Sequence, residues 1–359
     1  MRAFTCDVCG NLLVFENSVC VVCGTAQGFD TSSMQLVPVP DDGSRVLCDN
    51  LHLAECNWLV DAPGGLCLSC GLTRTRPRDD DQAGMAAFAA TEGAKRRLVY
   101  QLLDLALPVV SKAEDDAGVV FELLSSAEEP VVTGHDDGVV TIDLAEGDDP
   151  HRELMRVQMS EPYRTLLGHL RHEVGHYFWQ VLVEGRAPDA GWGAAEGAER
   201  PWVDGKNSLA RFRFLFGDEN VSYADAIDRH YTQGPPPNWN DTHVSAYATM
   251  HPWEDWAETF AHYLHIADTL QTAAAYGTVV TGPDVEDSEL ARSLIALPMD
   301  GAEQAPGVHD LIATWLPLTY ALNAVNRSMG KEDLYPFVLT DPVIAKLGFV
   351  HSLVAGTRS

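Results

Sequence analysis

The sequence predicts an α+β protein in two parts, a cysteine-rich module over residues 1–78 and a mainly helical domain with a small β-sheet over residues 79–359. Three observations carry that prediction. All eight cysteines fall between residues 6 and 70, a composition shift of the kind that marks a domain boundary. Beyond residue 80 the apolar residues recur mostly at helical spacing, with strand-like runs confined to about 119–144. Finally, 359 residues exceed one typical domain and leave room for a small module plus a larger one.

The cysteines read Cys6-x2-Cys9 and Cys20-x2-Cys23, then Cys48, Cys56 and Cys67-x2-Cys70. A CxxC pair presents two sulfurs to one ion, and Gly10 and Gly24 follow the first two pairs where a tight turn is needed. In a reducing compartment such clustering points to metal before disulfides. We therefore expect two structural zinc ions, one on Cys6, Cys9, Cys20 and Cys23 and one on Cys48, Cys56, Cys67 and Cys70, with His52 a competitor for one place in the second. The first 78 residues contain few large apolar side chains, so a metal is expected to hold their fold, a double zinc ribbon. Arg2 and Arg45 are the basic residues of the first 70, which argues for a structural or protein-contacting ribbon and against one that binds nucleic acid.

The acidic run Asp79–Asp81 follows TRTRPR as a linker or helix start. Residues 84–107 predict a helix ending before Pro108, Val119–Leu124 and Val131–Val132 predict strands, GHDDG at 134–138 a turn, and Val139–Leu144 the returning strand of a hairpin. That last strand is either a plain structural element or an exposed edge to which an extended peptide adds. A long helix is expected over about 151–184, a loop over 185–206, helices over about 207–230 and 253–271, and a largely helical carboxy-terminal part over 285–355.

The formal charge of −28, from 24 Lys and Arg against 52 Asp and Glu, repels phosphate backbones and anionic lipid. No apolar run is long enough for a membrane helix, and MRAFTCDVCG lacks the pattern of a signal peptide, so a cytoplasmic protein without nucleic-acid or membrane partners is expected.

Within the long helix lies His172-Glu173-Val174-Gly175-His176. Histidines four apart share one helix face and can hold one zinc ion; Glu173, about 100° around the helix, can stand beside the metal as a general base without being a ligand. Leu166, Leu167, Leu170, Val174, Phe178 and Val181 form an apolar face that buries this helix, which weakens a reading of the histidines as solvated. The residue six after His176 is Leu182, so the third ligand must come from elsewhere. SAYATMHPWEDWAETFAHYLH offers Glu254 as that ligand and Glu258, one turn on, as acceptor for a ligand histidine; Asp255 is the rival ligand. Tyr247, seven residues before Glu254, can donate to an oxyanion, a role for which His251, His243 and His262 compete.

Together, CDVCGNLLVFENSVCVVCG, CNWLV with CLSCG, VVTGHDDGVVTIDLAE, EPYRTLLGHLRHEVGHYFW and SAYATMHPWEDWAETFAHYLH resemble a bacterial family of zinc-binding metallopeptidases with an amino-terminal zinc ribbon, over nearly the whole chain. The last segment is also similar to gluzincins of the anthrax lethal factor type, whose tyrosine stands seven residues before the ligand glutamate and whose second glutamate follows four after it; Tyr247, Glu254 and Glu258 match that spacing. The resemblance implies a zincin-like catalytic domain with a small sheet packed on the motif helix, and names no substrate. The expected activity is hydrolysis of peptide bonds by a peptidase with one catalytic and two structural zinc ions. A non-catalytic zinc-binding interaction module is the alternative, and a zinc hydrolase of a non-peptide amide would use the same residues.

Overall fold

The computed structural model describes residues 2–127, 129–147, 165–188, 205–281 and 307–357. The chain divides into two compact units, Met1–Asp104 with Val109–Arg152, and Leu105–Pro108 with Glu153–Ser359.

The first unit begins with three two-stranded antiparallel ribbons: β1 (Phe4–Thr5) with β2 (Leu12–Leu13), β3 (Gln27–Asp30) with β4 (Gln35–Pro38), and β5 (Val46–Leu47) with β6 (Leu59–Val60). Two helical turns follow the cysteines, α1 (Leu51–Ala54) between Cys48 and Cys56 and α2 (Leu68–Gly71) capped by Cys67 and holding Cys70, and the 23-residue helix α3 (Gln82–Asp104) follows β7 (Thr73–Thr75). Phe4, Phe15, Phe29 and Trp58 are buried around Tyr100 of α3, whose ring centre lies 5.1 Å from Phe15 and 5.6 Å from Phe29. The cysteine-rich segment thus has an aromatic core as well as its sulfurs, and a helix from beyond residue 78 completes it. For that reason the compact unit does not end at 78.

The sheet of this unit runs β7, β8 (Val120–Leu124), β10 (Val139–Asp143), β9 (Gly134–Asp136), parallel across β7-β8-β10 and antiparallel between β10 and β9. The expected strand at Val131–Val132 is irregular, and the pairing strand begins at Gly134. The turn is the two-residue Asp137-Gly138, both at positive φ (43° and 78°), which matches strand twist; a Cβ at Gly138 would meet Gly118 O at 2.4 Å. Of the two readings of residues 139–144, the plain structural strand holds, because β10 is paired on both sides, by β8 and β9. The sheet falls in the first unit, where β8 packs on α3, and the motif helix falls in the second.

The second unit is helical: α4 (Leu166–Trp179) running into one wide π turn (Gln180–Glu184), α5 (Gly205–Phe216), α6 (Tyr223–Gln233), α7 (Pro252–Ala275), α8 (Val308–Ser328) and α9 (Asp341–Gly356). Two expectations shift, and a third falls partly outside the described residues. The motif helix starts at Leu166, since Thr165 is extended and caps it through Oγ1 to the Gly168 N–H, while 151–164 lie outside the described residues. The helix expected over 207–230 is broken after Phe216 at Gly217, whose φ is 106°. Of the expected 285–355, α8 and α9 are helical and 285–306 lie outside the described residues. No helix among the described residues is long and apolar enough to cross a membrane.

Candidate metal centres

The site is built where α4 crosses α7. Gly175 permits the approach: a Cβ there would lie 3.1 Å from Ala257 Cα and 3.2 Å from Ala257 O. The Trp256 indole N–H donates to Gly175 O (2.8 Å), and Phe178 stacks on Phe260 with ring centres 5.3 Å apart. A glycine inside the motif, costly for an isolated helix, is thus a packing requirement. At the start of α7, His251 caps the helix by accepting from the Trp253 N–H (3.1 Å), Pro252 occupies the first turn, and Glu254 and Asp255 stand where the helix dipole favours carboxylates.

This crossing brings three donor atoms together. His172 Nε2 lies 3.0 Å from Glu254 Oε2 and 3.3 Å from His176 Nε2, and His176 Nε2 lies 3.5 Å from Glu254 Oε2. A tetrahedral zinc ion with nitrogen and oxygen donors at about 2.0–2.1 Å holds them about 3.3–3.4 Å apart, so the triangle fits that ion. His172 and Glu254 are buried. Asp255 is turned away: its Oδ2 accepts from Lys346 Nζ of α9 (2.6 Å), and burial pushes its carboxyl up to about 7 although Lys346 pulls the other way.

Two of the three donors, and the neighbouring Glu173, are anchored from behind. His172 Nδ1 is 2.7 Å from Glu258 Oε1. Burial would raise the Glu258 carboxyl, but the bond and charge of His172 hold it down at about 2. The Tyr223 hydroxyl donates to Glu254 Oε1 (3.0 Å), leaving Oε2 for the cluster. Glu173 Oε1 is 3.0 Å from His169 Nε2, while Oε2 is buried without a hydrogen-bond partner. Burial raises the Glu173 carboxyl, yet His169 and the cluster histidines bring it below the ordinary carboxylate value. An ionised carboxylate with one idle buried oxygen beside a donor triangle suits a metal site that holds a water.

The Tyr247 ring lies 5.9 Å from that of His172, centre to centre, and burial followed by the charge of Glu254 pushes its phenol far up, so it keeps its proton as a donor. Its rivals are engaged elsewhere. His251 Nε2 meets Val221 O (3.1 Å), His262 Nδ1 meets the Tyr335 hydroxyl (2.8 Å), and His243 Nδ1 meets the Thr242 hydroxyl (2.9 Å). Two residues escaped the sequence reading. His169 stands one helical turn before Glu173, a spacing legible in LLGHLRHEVGHYFW; nothing local marks Tyr223, which is far from the motif in sequence.

The eight cysteines carry no disulfide and form two groups of four. Cys6 and Cys23 sulfurs are 3.7 Å apart, Cys9 and Cys20 3.6 Å, and Cys56 and Cys67 3.6 Å. Those spacings suit sulfurs at about 2.3 Å from a tetrahedral zinc ion and are far beyond a disulfide bond. His52 is exposed and outside the second group. Beside that group, Glu92 of α3 lies 3.8 Å from Cys70 Sγ and binds Lys95 (2.6 Å), and Arg96 is close enough to favour the Cys56 thiolate. Lys95 is matched by Glu92, so Arg96 is the cation of this set that offsets the surplus negative charge of four thiolates around one dication.

Residues 3–81 match a zinc-ribbon domain, and residues 84–353 match the family described as "Putative zinc-binding metallo-peptidase". The two matches meet close to the expected boundary at 78/79, although the compact units divide the chain differently. Uncharacterized proteins of Mycobacterium tuberculosis and Mycobacterium bovis are each 50% identical over 357 residues, covering 99% of this chain and 95% of the relative. No solved structure matches. With a family match over most of its length and relatives similar from end to end, this chain belongs to the putative zinc-binding metallo-peptidase family, with a zinc ribbon at its amino terminus.

Proposed function

We propose that the protein is a zinc-dependent peptidase that hydrolyses peptide bonds with Glu173 as general base and His172, His176 and Glu254 as the ligands of its catalytic zinc. Two further zinc ions are structural, on Cys6, Cys9, Cys20 and Cys23 and on Cys48, Cys56, Cys67 and Cys70. The observation that carries the reading is the donor triangle of 3.0–3.5 Å with the idle oxygen of Glu173 beside it.

Zinc bound there supplies a Lewis acid for the scissile carbonyl and makes water acidic near neutrality. Glu173 takes a proton from the water as its oxygen attacks the carbonyl carbon. The same carboxyl returns that proton to the departing amine, so one water is consumed and one amide bond becomes a carboxylate and an amine. Tyr247 donates a hydrogen bond to the oxyanion formed in the attack. Glu258 fixes the ring and tautomer of His172, and Tyr223 keeps Glu254 presenting one oxygen. The substrate is a peptide or protein; the acidic charge disfavours nucleic acid and membranes as partners, and eight free cysteines fit a reducing, cytoplasmic setting.

One observation favours a second reading, a non-catalytic module that docks a partner. Val8, Val21 and Val22 at the knuckles of the first cysteine group are 61%, 84% and 67% exposed. Zinc content measured with cleavage of an unbiased peptide library, for wild type and Glu173→Gln, decides between them. The peptidase reading expects three zinc ions per chain in both proteins and cleavage about 100- to 10,000-fold weaker in the variant. Two zinc ions and no cleavage in the wild type would favour the docking module.

A further inference from the structure

Glu173 has two carboxylate oxygens and a soft terminal torsion, so the helix alone leaves their direction open. One turn earlier on the same face stands His169, at the spacing where helical side chains meet. Its Nε2 lies 3.0 Å from Glu173 Oε1, and its side chain is only 17% exposed. Glu173 Oε2 is buried and takes no hydrogen bond. One oxygen is thereby held and the other is left for the reaction. His169 is also outside the donor triangle, since the group within metal-holding distance is His172, His176 and Glu254.

We propose that His169 is the positioning residue of the general base: its Nε2–H holds Glu173 Oε1 and thereby points Oε2 at the place where the attacking water stands. This rests on the peptidase reading for the identity of the base. The arrangement separates two demands that HExxH leaves coupled. The two histidines four apart fix the metal, and the histidine four before the glutamate fixes the base, all from one helix. The chemistry requires only a neutral N–H donor at that reach, which makes the proposal specific. Glutamine carries an N–H where Nε2 stands, whereas leucine has similar bulk and no donor.

Zinc-loaded wild type, His169→Gln and His169→Leu are compared in two ways. In crystal structures, wild type and His169→Gln are expected to show the Glu173 carboxylate in one orientation bonded to residue 169, and His169→Leu to show it turned or spread. In steady-state cleavage, His169→Leu is expected to lose about 10- to 100-fold in kcat with KM and zinc content unchanged, and His169→Gln to recover most of that loss. An unmoved Glu173 in His169→Leu overturns the proposal, as does an equal kcat loss in the leucine and glutamine variants. A wild type that cleaves no peptide defeats the peptidase reading, while the orientation of Glu173 still decides what His169 does.

Discussion

The four-sulfur groups of the first unit and the histidine–glutamate group of the second use similar spacings for opposite ends. Around the sulfurs every tetrahedral corner is filled by the chain, and the residues nearby, Glu92, Lys95 and Arg96, balance charge and hold helix α3. Around His172, His176 and Glu254 the described residues supply three donors, and Glu173, next to His172 in the helix, keeps a buried carboxylate oxygen without a hydrogen bond. A closed shell stabilises a fold; an open shell with a base beside it is equipped for chemistry. The two regions differ in what each places next to the donors.

The largest effect that sharpens this contrast comes from removing one donor on each side. Cys56→Ser should empty the buried second sulfur group and unfold the first unit, because zinc binding worth about 10–16 kcal/mol is folding energy there. Glu254→Ala should remove one zinc ion and all cleavage while the helical content survives, since α4 and α7 are packed by Trp256, Phe178 and Phe260. Circular dichroism with zinc analysis reads both, and a Glu254→Ala protein that unfolds would erase the distinction.

A smaller effect is expected at the proposed oxyanion donor. Tyr247→Phe keeps the packing against His172 and should lower kcat about 100-fold with zinc content unchanged. An unchanged kcat would transfer the role to another donor and leave Tyr247 a packed ring.

The smallest lies inside the ribbon. Burial would raise the Asp30 carboxyl, but the Arg45 guanidinium at 2.6 Å and the Ser32 and Ser33 hydroxyls hold it well below its usual value. A folded-state value below the unfolded one gives stability that is present above about pH 4 and is lost as the pH falls. Arg45→Met should therefore cost the first unit about 2 kcal/mol at neutral pH, with the gap to wild type closing in acid. Urea unfolding of the two proteins across that range measures it, and a pH-independent gap would mean that Arg45 acts by packing alone.

Much of the site was legible because metal binding writes itself at short range. CxxC pairs, histidines four apart and Glu254 with Glu258 four apart are local geometry, and the structure brings each set together. What the sequence left open shares a cause, contacts between distant segments. Tyr100 completes the ribbon's aromatic core from helix α3, β8 pairs in parallel with β10 so that β10 has no free edge, and Tyr223 reaches Glu254 from a separate helix. The break at Gly217 is a different matter, since helical periodicity resumes on the far side and hides it.

The sequence by itself determined the donor types, their grouping along each segment and the neighbour relation of Glu173 to the histidines, because a helix or a knuckle fixes such spacings within a few residues. Only the tertiary structure decided that Glu254 and not Asp255 meets His172, 82 residues away. Adjacent residues on a helix differ by about 100° in direction, so the choice rests on how α7 is rolled against α4, and Gly175, Ala257 and Trp256 set that roll.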